Sequence, residues 1–302
     1  MKKVKKMNEK TNINWYPGHM AKTKKQIIED LKLVDVVVEI LDARIPISSR
    51  NPDLEELIKN KTRLIVLNKS DLADEKQNQL WIDYFDNIGM PAVLVNSNNG
   101  EGINLTLNKI EDIYQKQQEK FTNKGRIGKS IRVMVLGIPN VGKSSFINRI
   151  SKRNATEVGN KPGVTRRKQW IRINNNIELL DTPGVLWPKL NNEKVAMNLA
   201  FTGTIKDDVL VTLEIGFYLL KLLLKNHLDR VLKRYNLNKD IVIEILDSEK
   251  EENEKTLEIM YLIGKNRGAL ISGGNIDEEK TAKIILEDFR NGKMGRITLD
   301  EI

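Results

Sequence analysis

The chain of 302 residues has no cysteine. That excludes disulfides, thiolate nucleophiles and cysteine-ligated metals, and it fits a reducing cytoplasm. It also lacks an apolar run able to span a bilayer. The most apolar helical stretch, EIGFYLLKLLLKNHL, is broken by Lys221 and Lys225. The opening MKKVKKMNEK is basic but leads into polar residues without an apolar h-region, so residues 1–12 read as a disordered basic tail rather than a signal peptide. There is no internal repeat. Acidic charge is in deficit: 50 Lys and Arg against 41 Asp and Glu give a net charge of +9 and a pI of about 9.4. This balance favours polyanionic partners, nucleic acid ahead of an anionic membrane, although the joint richness in Lys, Asn and Ile also fits AT-rich coding.

What is present alternates. NWYPGHMAKTKKQIIEDL is a Pro-Gly turn feeding a basic helix, and the β-branched run DVVVEILDAR (35–44) has the character of a strand buried on both faces. Helical NPDLEELIKN, strand RLIVLNK, helical DEKQNQLWIDYFDNIG, strand PAVLVNS and the amphipathic GINLTLNKIEDIYQKQQEKF follow. After the polar stretch TNKGRIGKS come strand IRVMVLG (131–137), the helix SSFINRIS, and a hairpin of RKQWIRI and IELLDT around NNN. Such alternation implies an open α/β sheet with both faces covered. From about residue 205 the periodicity is helical, with no convincing strand.

Five segments carry chemistry. GIPNVGKSS (137–145) fits G-x-x-x-x-G-K-S and lies between a strand and a helix, as that motif requires. Its backbone N–H groups, from Asn140 and Val141 through Gly142 to Ser145, can cradle phosphates at a helix N-terminus. Lys143 would bridge the β- and γ-phosphates, and the Ser144 hydroxyl would ligate Mg²⁺. DTPG (181–184) ends the strand IELL, so Asp181 can hold Mg²⁺ and the Gly184 N–H can sense a γ-phosphate. Between them, KPGVTRR offers Thr165 as a second hydroxyl for the metal. The fourth is LNKSD (67–71), which leaves a strand as an Asn-Lys-x-Asp tetrad. Asp71 can accept from guanine N1–H and the exocyclic amine, donors that adenine lacks on that edge; an unpaired carboxylate there is worth roughly 10⁴-fold in discrimination. Asn68 would contact the base and the phosphate loop, the Lys69 stem would cover the ring, and Ser70 lies within the tetrad. In VNSNNG (95–100), Asn96 and Ser97 are candidate backbone donors to the base carbonyl.

Nothing upstream of Asn68 resembles a phosphate loop. The base-reading elements come first and the phosphate-reading elements second. Because ligands bind at the carboxyl ends of parallel strands, joining the old termini and cutting elsewhere leaves the site in place. The expected architecture is a circularly permuted P-loop GTPase domain over 13–200, with a base-reading half (13–115), a linker (116–130) and a phosphate-reading half (131–200). A smaller all-α domain follows over 205–302.

With WYPGHMAK (15–22), DARIP (42–46), GIPNVGKSS, DTPGVLWP (181–188) and the C-terminal GKMGR, the chain resembles the circularly permuted GTPases, most closely the bacterial ribosome biogenesis GTPase A family. The resemblance spans nearly the whole chain, the C-terminal third by pattern more than motif. It implies a cytoplasmic enzyme, expected to be a monomer, that binds GTP and GDP and acts late on the large ribosomal subunit precursor, with a C-terminal domain that grips rRNA.

The switch glycine is followed by Val185, which cannot orient water as the glutamine of many small GTPases does. The resemblance points to His19 as a substitute that orients or deprotonates water. It also matches Asn140 to an asparagine that coordinates K⁺. Arg166 and Arg167 are candidates for an arginine in cis, or for RNA contacts. Each has a plainer reading: His19 as a surface or phosphate contact, Asn140 as a turn residue. Trp15 and Tyr16 fit packing better than base stacking, and His227 fits a structural role. Lys22, Lys24, Lys25 and the RNGKMGR segment (290–296) are candidate RNA contacts. Two other functions remain compatible: a guanine-nucleotide-gated RNA-binding module without productive hydrolysis, and a G protein drawn to a membrane surface.

Overall fold

In a computed structural model the described residues are 20–121, 130–152, 170–181, 192–205 and 212–302. They form two compact units: Asn14–Lys189 together with Thr298–Ile302, and Leu190–Ile297.

The first unit is built on a six-stranded sheet. Its strands are β1 (Val36–Asp42), β2 (Thr62–Asn68), β3 (Ala92–Val95), β4 (Ile131–Leu136), β5 (Trp170–Arg172) and β6 (Ile177–Asp181). They lie in the order β3-β2-β1-β4-β6-β5, all neighbours parallel except the β5–β6 hairpin. Helices α1 (Met20–Leu31), α2 (Pro52–Ile58), α3 (Glu75–Asn87), α4 (Ile103–Phe121) and α5 (Lys143–Lys152) connect them. The β-branched run earns its place at the centre: every residue of β1 is buried. Val37, Met134, Leu136 and Leu180 pack under Ile27 and Leu31 of α1 and Leu54 and Ile58 of α2. Leu41, Ile65 and Leu67 pack against Trp81 and Phe85 of α3. Val36, Val38 and Ile40 point to the opposite face and are fully buried as well, as a sheet covered on both sides demands.

The second unit is helical: α6 (Glu193–Phe201), α7 (Thr212–Asn226), α8 (Leu228–Tyr235), α9 (Lys239–Asp247), α10 (Glu252–Asn266) and α11 (Glu278–Arg290). Its axis is α7 against α11. A Cβ at Gly216 would lie 2.6 Å from the Ala282 Cβ, so glycine is what lets the two helices approach. Asp288 pairs bidentately with Arg234, at 2.9 and 2.8 Å. Among the described residues, no helix is long and apolar enough to cross a membrane.

The structure differs from the expected boundaries in three places. The linker expected over 116–130 is helical as far as Phe121, because the amphipathic pattern of α4 carries on into it. Helix α6 belongs with the helical unit rather than with the sheet. The segment Thr298–Ile302 belongs with the sheet. There Asp300 accepts from the Ile47 N–H (2.8 Å), the Ser48 N–H (2.7 Å) and the Ser48 hydroxyl (2.6 Å). Leu299 N–H donates to the Arg44 carbonyl at 2.7 Å, and Thr298 Oγ1 accepts from Asp74 N–H at 3.0 Å. Asp300→Ala strands two backbone N–H groups and a hydroxyl in a buried setting. The expected loss is about 2–3 kcal/mol of sheet-unit stability, read as a lower urea midpoint at unchanged slope.

Candidate nucleotide site

The carboxyl ends of β2, β3 and β4 deliver the motifs to one edge of the sheet. Asn68 closes β2, where it stands opposite Val95 of β3 and Asp42 of β1. Its amide nitrogen donates to the Val141 carbonyl of the phosphate loop at 2.8 Å. Its amide oxygen accepts from the Ser97 hydroxyl at 2.7 Å and the Ser97 N–H at 3.2 Å. One side chain, buried to 2% exposure, therefore ties together three segments from distant parts of the sequence. Gly142 must be glycine for the same reason: its φ is +91°, and a Cβ would fall 2.2 Å from the Asn68 amide nitrogen.

Lys69 is fixed from two sides. Its ammonium donates to the Asn140 carbonyl at 2.6 Å and to Asp42 Oδ2 at 2.9 Å. Both Lys69 (φ 59°) and Asn140 (φ 62°) adopt the left-handed conformation, which asparagine tolerates better than most residues. Ser70 is buried, its N–H donating to the Val95 carbonyl at 3.2 Å while its carbonyl accepts from the Asn78 amide of α3 at 3.0 Å. Asp71 comes next, exposed, with no carboxylate hydrogen bond to any described residue, as a group that must accept from a base requires. Ser144 and Ser145 stand exposed in the first turn of α5, and Lys143 begins it.

Asp42, which spacing alone did not single out, is the electrostatic anchor. Burial pushes its carboxyl pKa upward, but the Arg44 and Lys69 charges and hydrogen bonds override that and hold it well below the usual carboxylate range. Arg44 grips it bidentately, Nη2 to Oδ2 at 2.7 Å and Nε to Oδ1 at 2.9 Å, with both side chains nearly inaccessible. Ser49 Oγ accepts the Asp42 N–H at 3.1 Å. The available signal was the charged DAR at the end of a wholly apolar strand.

Asn96 and Ser97 do not offer the N–H groups expected of them. Asn96 N–H donates to the Glu101 carbonyl at 3.1 Å and Ser97 N–H to Asn68. The Asn96 side chain accepts from the Asn98 and Asn99 N–H groups, and Arg149 of α5 donates to the Asn98 carbonyl at 2.9 Å. These residues shape the loop and hold Asn68. His19, Thr165, Arg166, Arg167, Gly184, Val185, Trp15 and Tyr16 lie outside the described residues, as do the side chains of Lys22 and Lys24. Of Asp181 only the backbone is described; it closes β6 opposite Val135 of β4, two positions before the phosphate loop. A hydroxyl at Ser144, a carboxylate at Asp181 and phosphate oxygens form an all-oxygen donor set suited to a hard divalent cation. In RNGKMGR, Arg290 has a structural task, donating to the Phe201 and Ala200 carbonyls at 3.0 and 2.9 Å and so closing the C-terminus of α6. His227 likewise acts through its backbone, its carbonyl accepting from Arg230 and Val231 between α7 and α8.

A base-reading tetrad preceding a phosphate loop in sequence, yet hydrogen-bonded to it at the carboxyl edge of a parallel sheet, defines a circularly permuted P-loop GTPase. Residues 132–267 match the family described as "50S ribosome-binding GTPase". Ribosome biogenesis GTPase A of Bacillus cereus is 43% identical over 288 residues, covering 95% of this chain and 93% of the relative. Mitochondrial ribosome-associated GTPase 1 of Mus musculus is 34% identical over 297 residues, covering 95% and 89%. GNP-bound YlqF from T. maritima superposes with a TM-score of 0.62 at 25% identity, covering 93% and 98%. The chain belongs to the Ribosome biogenesis GTPase A family.

Asp71→Asn presents a donor where guanine also presents one. GTP affinity should fall by about 100-fold or more, and xanthosine triphosphate, whose 2-carbonyl accepts that donor, should be bound in its place; nucleotide titration with both checks this. Asp42→Asn leaves the Arg44 charge buried without its counter-ion and should cost about 3–5 kcal/mol at neutral pH. A depressed native pKa means the carboxylate stabilises fully above its unfolded range, near pH 4, and progressively less as acid titrates the native group. The deficit of the variant should therefore be constant from pH 7 to about pH 4 and narrow below, measured by urea unfolding across pH.

Proposed function

We propose that this protein is a GTP-hydrolysing assembly factor of the cytoplasm that docks on the maturing large (50S) ribosomal subunit and leaves when GTP is hydrolysed. The observation that carries the reading is the Asn68 bridge, which makes one guanine-nucleotide site from the inverted motifs. The names borne by the relatives supply the ribosomal context.

In this reading Lys143 neutralises the β- and γ-phosphates, while Ser144, Thr165 and Asp181 hold Mg²⁺. Thr165 and the Gly184 N–H respond to the γ-phosphate, ordering the segment around 181–188 in the GTP state. A divalent ion bound by these residues would offset charge on the transferring phosphoryl group. His19 orients the attacking water in place of the glutamine that Val185 replaces. Asn140 serves the left-handed turn with its backbone and would hold a K⁺ ion with its side chain, supplying positive charge of the kind an arginine finger supplies in other GTPases. The helical unit, with Lys293 half exposed, contributes contacts to rRNA. The protein acts as a monomer without stable membrane attachment.

Phosphate release measured with and without large-subunit precursor particles, in K⁺ and in Na⁺, tests this. The expected outcome is slow release alone and stimulation of about tenfold or more by particles in K⁺, lost in His19→Ala. No stimulation under any condition would make the protein a nucleotide-gated binding module instead.

A further inference from the structure

The same sheet has a second built cavity, at its other edge. About 520 Å³ of space opens between the loop entering β2, the loop entering β3 and the helix α4. Lys59, Lys61, Arg63 and Lys116 line it, with Met90 and Pro91 on its wall, and no carboxylate is among the lining residues. These are the amino ends of β2 and β3, whereas Asn68 and Ser97 stand at or beyond their carboxyl ends. Seven residues of β2 separate the two places, roughly 20 Å. An occupant here does not compete with nucleotide.

The three lysines are poorly neutralised. Among the described residues Lys59 pairs with Glu56 at 3.2 Å, both side chains exposed, and such pairs contribute little. Lys61 donates to the Val34 carbonyl at 3.0 Å, which positions its ammonium without neutralising it. Lys116 is exposed and, among the described residues, in no ion pair. Arg63 is half-buried and feels the buried Glu39 carboxylate, but its Nη1 is buried without a hydrogen-bond partner among the described residues. A buried guanidinium donor left unsatisfied is costly, and an anionic oxygen in the cavity would both accept from Arg63 Nη1 and neutralise the three lysines.

We infer that this cavity is a second anion site, which takes phosphate oxygens of an RNA backbone and gives the nucleotide-binding unit its own grip on the ribosomal particle. The inference rests on the docking reading above and adds to it the surface that docks. RNA is favoured over a compact polyphosphate because the cations are spread around the mouth, two of them on exposed side chains, in a chain of net charge +9.

The test uses Lys59→Gln/Lys116→Gln, two exposed changes remote from the nucleotide motifs, in the full chain saturated with a non-hydrolysable GTP analogue. Affinity for large-subunit precursor particles and for a short A-form RNA duplex is measured across salt concentration, with GDP affinity as the folding control. Each lost phosphate contact should flatten the log–log slope by about 0.7–0.9. The double variant should therefore lose about 1.5 units of slope and bind roughly tenfold more weakly at 0.1 M salt, with GDP affinity unchanged. A slope equal to that of the unmodified protein overturns the RNA assignment. If inorganic tripolyphosphate then binds the unmodified protein and not the variant, the site belongs to free polyphosphate; if it binds neither, the cavity is no anion site. An unmodified protein with no affinity for particles sinks the docking reading itself, a result unlike any of these.

Discussion

The amide of Asn68 is the joint on which the nucleotide site turns. The base-reading and phosphate-reading loops stand 73 residues apart at Asn68 and Val141, so their relative position depends on contacts across the sheet edge. Asn68 supplies those contacts with both ends of one planar group, donating to the phosphate loop and accepting from the 96–100 loop. Neither its shorter nor its charged relative does the same: aspartate has no donor for the Val141 carbonyl, and serine has no reach. The glycine at 142 is the complementary concession, a residue without a side chain so that the amide can come close.

Beneath this joint lies a charge network unusual for so buried a place. Asp42 accepts from Arg44 and from Lys69, and Lys69 also reaches the Asn140 carbonyl. Partial satisfaction of such a network would be worse than an apolar core. Here the carboxylate is bracketed by two cations and by the Arg44 N–H, which keeps it ionised and keeps the lysine stem in line with the phosphate loop. The floor of the site is thus set before nucleotide arrives, and binding energy need not be used to assemble it.

The fold was legible where periodicity and position agreed. Apolar runs gave the first four strands, the Asn-rich turn gave the β5–β6 hairpin, and the strand–GIPNVGKSS–helix context gave the phosphate loop. The tetrad at the end of β2 gave the base-reading loop, and its inverted order gave the permutation. What escaped were long-range assignments that no local pattern encodes. That Thr298–Ile302 pairs with the loop after β1 depends on Asp300 finding Ser48, 252 residues away in sequence. That Asn96 and Ser97 shape the loop and brace Asn68 depends on backbone N–H partners, which composition cannot reveal. Arg290 looked like an RNA contact because arginines in basic clusters usually are; a helix terminus with open carbonyls claimed it instead.

The placement of Thr298–Ile302 has a consequence for biosynthesis. In sequence these residues follow the whole helical unit, yet they brace the loop that leads from β1 toward the base-reading strand. A ribosome making this chain exposes the sheet early but must extrude the helices before the brace can dock. The loop after β1 is therefore clasped only after the helical unit has been made, and a nascent chain stalled within that unit presents a sheet whose β1 loop is still unclasped.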